Sequence, residues 1–146
     1  MNQVQAVTSR SFAAPVDAVR AAVADYTGTR SKILPANYSE YEVREGGTGA
    51  GTVVHWKLQA TKKRVRDCLL DVTEPQPGTL VEADRNSTLV TTWTVDGSAD
   101  AASVRVATTW EGANGIGGFF ERTFAPAGLR TIHDELLANL AKHLNA

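Results

Sequence analysis

The sequence predicts an α+β fold: a curved seven-stranded antiparallel sheet wrapped around one long C-terminal helix, with one or two short helices after strand 1. Three observations carry this expectation. The chain opens on a period-two alternation, its middle is rich in β-branched and aromatic residues broken by regular turn signals, and its end turns to helical periodicity.

The opening strand spans Gln3 to Phe12, where Val4, Ala6, Thr8 and Arg10 alternate with Gln5, Val7, Ser9 and Ser11. Ala14-Pro15-Val16-Asp17 then puts proline in a first helical turn with an acid beside it, both favourable at a helix N-terminus, and Val16, Val19 and Val23 recur at helical spacing. A short helix over about residues 15–25 is expected, with one more helical turn between Tyr26 and Pro35.

From Tyr38 to Trp110, turn signals recur roughly every 8–12 residues, the spacing of an antiparallel meander. The expected strands are 37–45, 52–59, 64–73, 79–84, 88–95 and 103–110. Gly46, Gly47, Gly49 and Gly51 separate the first two; a strand follows them, so they read as a hairpin with positive φ and not as a phosphate cradle, which needs a following helix. Asn86-Ser87-Thr88 reads as a turn. In the last segment Leu129, Ile132, Leu136, Leu140 and Leu144 recur every three or four positions, with Glu135, Asn139 and Lys142 on the other side. Phe119, Phe120 and Phe124 lie upstream, and Pro126 is expected to kink the helix or split it.

Length and composition bound the function. One domain is the expectation for 146 residues, and 42% hydrophobic with 21% charged residues is the composition of a folded chain. Fifteen basic against sixteen acidic residues leave a net charge of −1, which argues against nucleic acid as a partner. Cys68 is the only cysteine, so no internal disulfide forms. No apolar run is long enough for a membrane span and no leader pattern opens the chain, so a cytoplasmic location is expected. His55, His133 and His143 lack the spacing of a zinc site; neither a metal nor a cofactor is expected. His133-Asp134-Glu135 resembles a catalytic cluster in letters only, since neighbours on a helix diverge by about 100°, and it reads as helix surface.

The sizes of the elements imply a cavity. Seven strands make a sheet roughly 34 Å wide, while a helix is only about 10–12 Å across, so the sheet must coil and the trough must hold bulky side chains or a guest. Alternation points Val54, Trp56 and Leu58 inward, then Cys68, Leu70 and Val72, then Leu89, Thr91, Trp93 and Val95, then Val104, Val106, Thr108 and Trp110. Thr91, Thr108 and Cys68 add polar handles to apolar area, as in a ligand cavity, although the same set would also make a filled core. The expected ligand-binding residues are Trp56, Leu58, Arg66, Cys68, Leu70, Thr91, Trp93, Thr108 and Trp110 from the sheet, with Phe120, Phe124 and Leu129 from the end of the chain. Arg66 shares the inward phase of Cys68 and would need Glu42, Tyr41 or the ligand as its partner. Cys68 has no context that lowers a thiol pKa and reads as a small buried hydrophobe. The basic run Lys62, Lys63, Arg64 and Arg66 reads as a solvated hairpin edge.

Three stretches, SRSFAAPVDAVRAAVADYTG, VREGGTGAGTVVHWKL and GGFFERTFAPAGLRTIHDELLANLAKHLN, in this order resemble the START-like (SRPBCC) superfamily, in its polyketide cyclase/dehydrase branch. The resemblance implies a helix-grip, START/Bet v 1-like fold. It also implies a small hydrophobic ligand, such as a lipid, polyketide or aromatic metabolite, held between sheet and C-terminal helix. It transfers no catalytic residue. Two alternatives follow from it: an aromatase/cyclase-like enzyme drawing on Arg66, His55, Tyr41 or Glu42, and a protein-interaction module of chaperone-activator type.

Overall fold

The computed structural model describes residues 3–61, 64–111 and 126–146. These residues form seven strands and three helices: β1 (Gln3–Phe12), α1 (Val16–Ala24), α2 (Thr29–Lys32), β2 (Tyr38–Glu45), β3 (Val53–Thr61), β4 (Arg64–Gln76), β5 (Thr79–Asp84), β6 (Val90–Gly97), β7 (Ala102–Glu111) and α3 (Pro126–Leu144). The strands make one antiparallel sheet in the order β1-β7-β6-β5-β4-β3-β2. Strands β2 to β7 are a meander of neighbours. Strand β1, first in sequence, pairs with β7, last in sequence, from Gln3 opposite Glu111 to Phe12 opposite Ala102.

The apolar and threonine sets read as inward from alternation are buried. Val54, Trp56 and Leu58 of β3, Cys68, Leu70 and Val72 of β4, Thr91, Trp93 and Val95 of β6, and Val104, Val106, Thr108 and Trp110 of β7 all belong to the interior. Helix α3 packs over β1 and β3 with Leu129, Ile132, Leu136, Leu137, Leu140 and Ala141 turned in. Helix α1 lies against β6 and β7 and buries Val19, Ala22 and Val23. The glycines between β2 and β3 all have positive φ, at 68°, 141°, 59° and 89°, conformations that side chains resist. Their loop is held against the end of α1 by Tyr26 N–H to the Gly47 carbonyl and Gly49 N–H to the Ala24 carbonyl, both 2.9 Å.

Several expected boundaries shift. Strand β4 runs on to Gln76 because Pro75 falls where the β4–β5 register is irregular, between Thr73 and Gln76, a place that tolerates a missing ladder donor. Strand β6 starts at Val90 and not at Thr88; Thr88 stays in the turn, where its hydroxyl accepts the Glu111 N–H at 2.9 Å. The extra helical turn after Tyr26 is the four-residue α2. Pro126 stands at the first described position of α3, where a helix tolerates its missing N–H. The kink or split expected upstream of it lies outside the described residues. Asn139, expected on the solvent side of the helix, is half-buried and donates to the Ile33 carbonyl at 2.9 Å, pinning α3 to the end of α2.

Candidate functional site

Between α3 and the concave face of the sheet is a cavity lined by Arg30, Leu34, Tyr38, Trp56, Glu82, Thr91, Trp93, His133 and Leu136. The cavity is small, with a volume of about 20 Å³. The inner part has room for a water molecule. A larger guest must displace side chains such as Leu34 and Leu136.

The floor of the cavity is a buried ion pair. Strand β5 alternates Leu80, Glu82 and Asp84 on its buried side, and Glu82 sits opposite Thr91 in the β5–β6 register. Arg30 of α2 donates from Nη2 to Glu82 Oε2 at 2.7 Å, with side chains only 4% and 2% exposed. Tyr26 donates its hydroxyl to the same oxygen at 2.5 Å, and Trp93 Nε1 donates to Oε1 at 3.3 Å. The Arg30 guanidinium stacks on two rings, 4.5 Å from the centroid of Tyr26 and 4.3 Å from that of Trp93, and its Nη1 donates to the Val23 carbonyl at 3.0 Å. Burial disfavours the Arg30 charge, but the Glu82 carboxylate outweighs it and holds the guanidinium protonated above its ordinary range. Burial also raises the Tyr26 phenol well above its ordinary value, with the Glu82 charge adding to the effect. A desolvated pair of this kind holds only with good geometry and further hydrogen bonds, and both are present.

The wall opposite is softer. Thr91 and Thr108 share a hydroxyl hydrogen bond at 2.7 Å, and Thr108 Oγ1 lies 3.2 Å from His133 Nε2. Burial pushes His133 down to about 4, with Asp134 acting weakly the other way, so the ring is neutral near pH 7. Tyr41 stacks on Trp56 with rings 7° apart and 6.1 Å between centroids, and Tyr38 meets the same indole edge-on at 5.6 Å.

Of the residues expected to bind a ligand, Trp56, Thr91 and Trp93 line this cavity. Leu58, Cys68, Leu70, Thr108, Trp110 and Leu129 are buried in the surrounding core. Burial pushes the Cys68 thiol up to about 12, consistent with a packing residue. Phe120 and Phe124 lie outside the described residues. Arg66 is half-buried opposite Leu58 and does not line the cavity. Its suggested partners are engaged elsewhere: Glu42 is exposed and pairs with Arg44 at 2.9 Å, and Tyr41 donates to the Tyr26 carbonyl at 2.5 Å. His55 alternates away from Trp56 and bonds the Glu40 carbonyl at 2.9 Å and the Asp67 carboxylate at 2.5 Å.

The expectation that His133 lies on the helix surface is corrected: it is 3% exposed, while Asp134 and Glu135 face solvent as the helical divergence requires. Arg30, Glu82 and His133 are the chemically distinctive groups that alternation and motif reading missed. The signal available was phase: Glu82 stands two residues from Leu80 and from Asp84, and His133 falls between Ile132 and Leu136 on the apolar face. Among the described residues no group of three His, Cys, Asp or Glu is placed to hold a metal ion, and no helix is long and apolar enough to cross a membrane.

An open antiparallel sheet gripping a long C-terminal helix over an internal cavity is the helix-grip architecture of the START-like, SRPBCC proteins. The chain belongs to the polyketide cyclase/dehydrase and lipid transport family, whose model matches residues 3–145. Among solved structures it is similar to the KanY protein, at 53% identity, with all of both chains covered and a TM-score of 0.89. Two more distant folds agree. One is the Zhui aromatase/cyclase from Streptomyces sp. R1128, at 14% identity, a TM-score of 0.65, and 97% and 90% of the two chains covered. The other is the major latex-like protein 151 of Panax ginseng, at 15% identity, a TM-score of 0.67, and 98% of each chain covered. Among curated proteins none matches the sequence.

Proposed function

We propose that the protein binds a small hydrophobic molecule, of the lipid, polyketide or aromatic-metabolite kind, in the cavity between sheet and C-terminal helix. The observation that carries the reading is the cavity itself, in which Leu34, Trp56, Trp93 and Leu136 surround a polar floor. Binding is favoured over proton-transfer catalysis by the state of the groups present. Catalytic acids and bases work best with pKa values near the working pH. Here Arg30 is a fixed cation, burial pushes the Tyr38 phenol well above its ordinary value, and His133 is down at about 4. These groups suit orientation of a guest better than exchange of protons with it. The polyketide cyclase and lipid transport description of the family is compatible with such a binder.

Removing roughly 200 Å² of a guest's apolar area from water contributes about 5 kcal/mol at ~25 cal/mol/Å². That is submillimolar affinity before the costs of association, so polar handles and preorganisation decide the rest. Titration with the fluorescent probe phenylnaphthylamine, followed by backbone amide NMR shifts, tests the site. The expected result is one saturable site, with shifts at Leu34, Tyr38 and Leu136 and at least tenfold weaker binding in Leu34→Trp, which fills the mouth. Shifts confined to the outer face of the sheet, or unchanged affinity in that variant, overturn it. Turnover of a poly-β-ketone mimic, lost on cavity substitution, replaces it with the enzyme reading.

A further inference from the structure

Most of the buried polar atoms around the cavity are paired, and two are not. Both oxygens of Glu82, the Tyr26 hydroxyl, Trp93 Nε1 and both terminal nitrogens of Arg30 have hydrogen-bond partners, and Thr91 and Thr108 bond each other. Arg30 Nε and His133 Nδ1 have none among the described residues. Each belongs to a residue 3% exposed, and both residues line the same cavity, one on α2 and one on α3. A buried polar atom left in this state is rare in folded proteins and asks for an explanation.

The chemistry of the two atoms narrows what would complete them. The Arg30 Nε–H can only donate, so its partner must be an acceptor. Its own carboxylate does not reach it, because Glu82 takes up Nη2, Tyr26 and Trp93 instead. His133 already meets Thr108 through Nε2, and its neutral ring can donate or accept at Nδ1 according to tautomer. The flat rings of Trp56 and Trp93 also line the space.

We infer that Arg30 Nε and His133 Nδ1 form a two-point recognition device for a planar guest carrying two oxygen functions. Arg30 takes a carbonyl oxygen and His133 a hydroxyl or second carbonyl. A purely hydrocarbon guest leaves both atoms desolvated and unbonded, and a site built to hydrogen-bond its ligand rejects an analogue that lacks the group. The inference rests on the reading of the cavity as the ligand site, and makes these two residues its specificity determinants.

Calorimetric titration with three matched probes, ethylnaphthalene, acetylnaphthalene and acetylnaphthol, tests it. Wild-type protein is expected to gain about tenfold in affinity for each oxygen function added. Arg30→Lys keeps a cation for Glu82 but removes the Nε–H, and is expected to cancel the gain in the acetylnaphthalene to ethylnaphthalene affinity ratio. His133→Phe is expected to cancel the gain from the hydroxyl. The wild-type ratios need no variant, so a substitution that unfolds the chain leaves the test intact. Equal affinities for all three probes, or preferences that survive both substitutions, overturn the inference while the cavity reading stands. Failure of every probe to bind removes the cavity reading and this inference together.

Discussion

Glu82 serves three donors at once, so its loss is felt through all of them. Arg30→Met leaves the carboxylate buried without its cation and is expected to destabilise the fold by about 3–5 kcal/mol, measured by urea unfolding. The double variant Arg30→Met, Glu82→Met removes both charges and should recover most of that loss, because apolar replacement of a whole buried pair is often neutral. His133 makes a separate, pH-dependent contribution. Its folded pKa is depressed from 6.5 to about 4, so the unfolded chain binds the proton more readily. Stability from this source is whole above pH 6.5 and is lost as pH falls toward 4, by about 3 kcal/mol at ~1.4 kcal/mol per unit. Asp134 on the same helix partly opposes the shift, and the charges of Arg30 and Glu82 line the cavity beside it. Unfolding free energies measured across that pH window should flatten in His133→Phe; an unchanged slope assigns the loss to other groups.

The elements differ in how openly their sequence declares them. Strands β3, β4, β6 and β7 carry mostly apolar residues at alternate positions, broken by Arg66, Thr91 and Thr108, so most of their inner faces was legible from alternation. Strand β5 was legible as a strand but not as half of the site. Two of its three inward residues are the acids Glu82 and Asp84, and an acid on a buried face looks like a solvent position until its partner is known. The partner is Arg30, fifty-two residues away in a short polar segment with no periodicity to read. Asp84 is buried for a different reason: its carboxylate accepts the Leu69 and Asn86 N–H groups at 3.0 and 3.1 Å and the Ser87 hydroxyl at 2.6 Å, fixing the β5–β6 turn. The β6–β7 turn depends on backbone freedom instead. Gly97 has φ of 153°, and a Cβ there would stand 2.2 Å from the Ala101 carbonyl oxygen. Gly97→Ala is expected to cost about 1–3 kcal/mol, read as an earlier urea midpoint at unchanged slope. On α3, Leu140 is fully buried against the sheet, and Leu140→Ala should cost about 2–5 kcal/mol by the same measurement.

At the scale of the whole molecule, cavity and stability are linked. A guest that binds only the folded chain stabilises it by about 2.7 kcal/mol at a hundred times its Kd. For a chain of this size the melting temperature should then rise by roughly 9 °C, and should keep rising with concentration. A melting temperature indifferent to every apolar probe would show the trough closed to guests. The coiling that makes the trough was foreseeable from the mismatch between seven strands and one helix, whereas its remaining volume was not, because that depends on individual rotamers. The pairing of β1 with β7 reaches further still. A ribosome delivers Phe12 some ninety residues before Ala102, its opposite number in the sheet, so the opening ribbon waits without a neighbour through most of synthesis. Closure of so distant a seam carries a large loop entropy, which places folding in the slow, millisecond-to-second class.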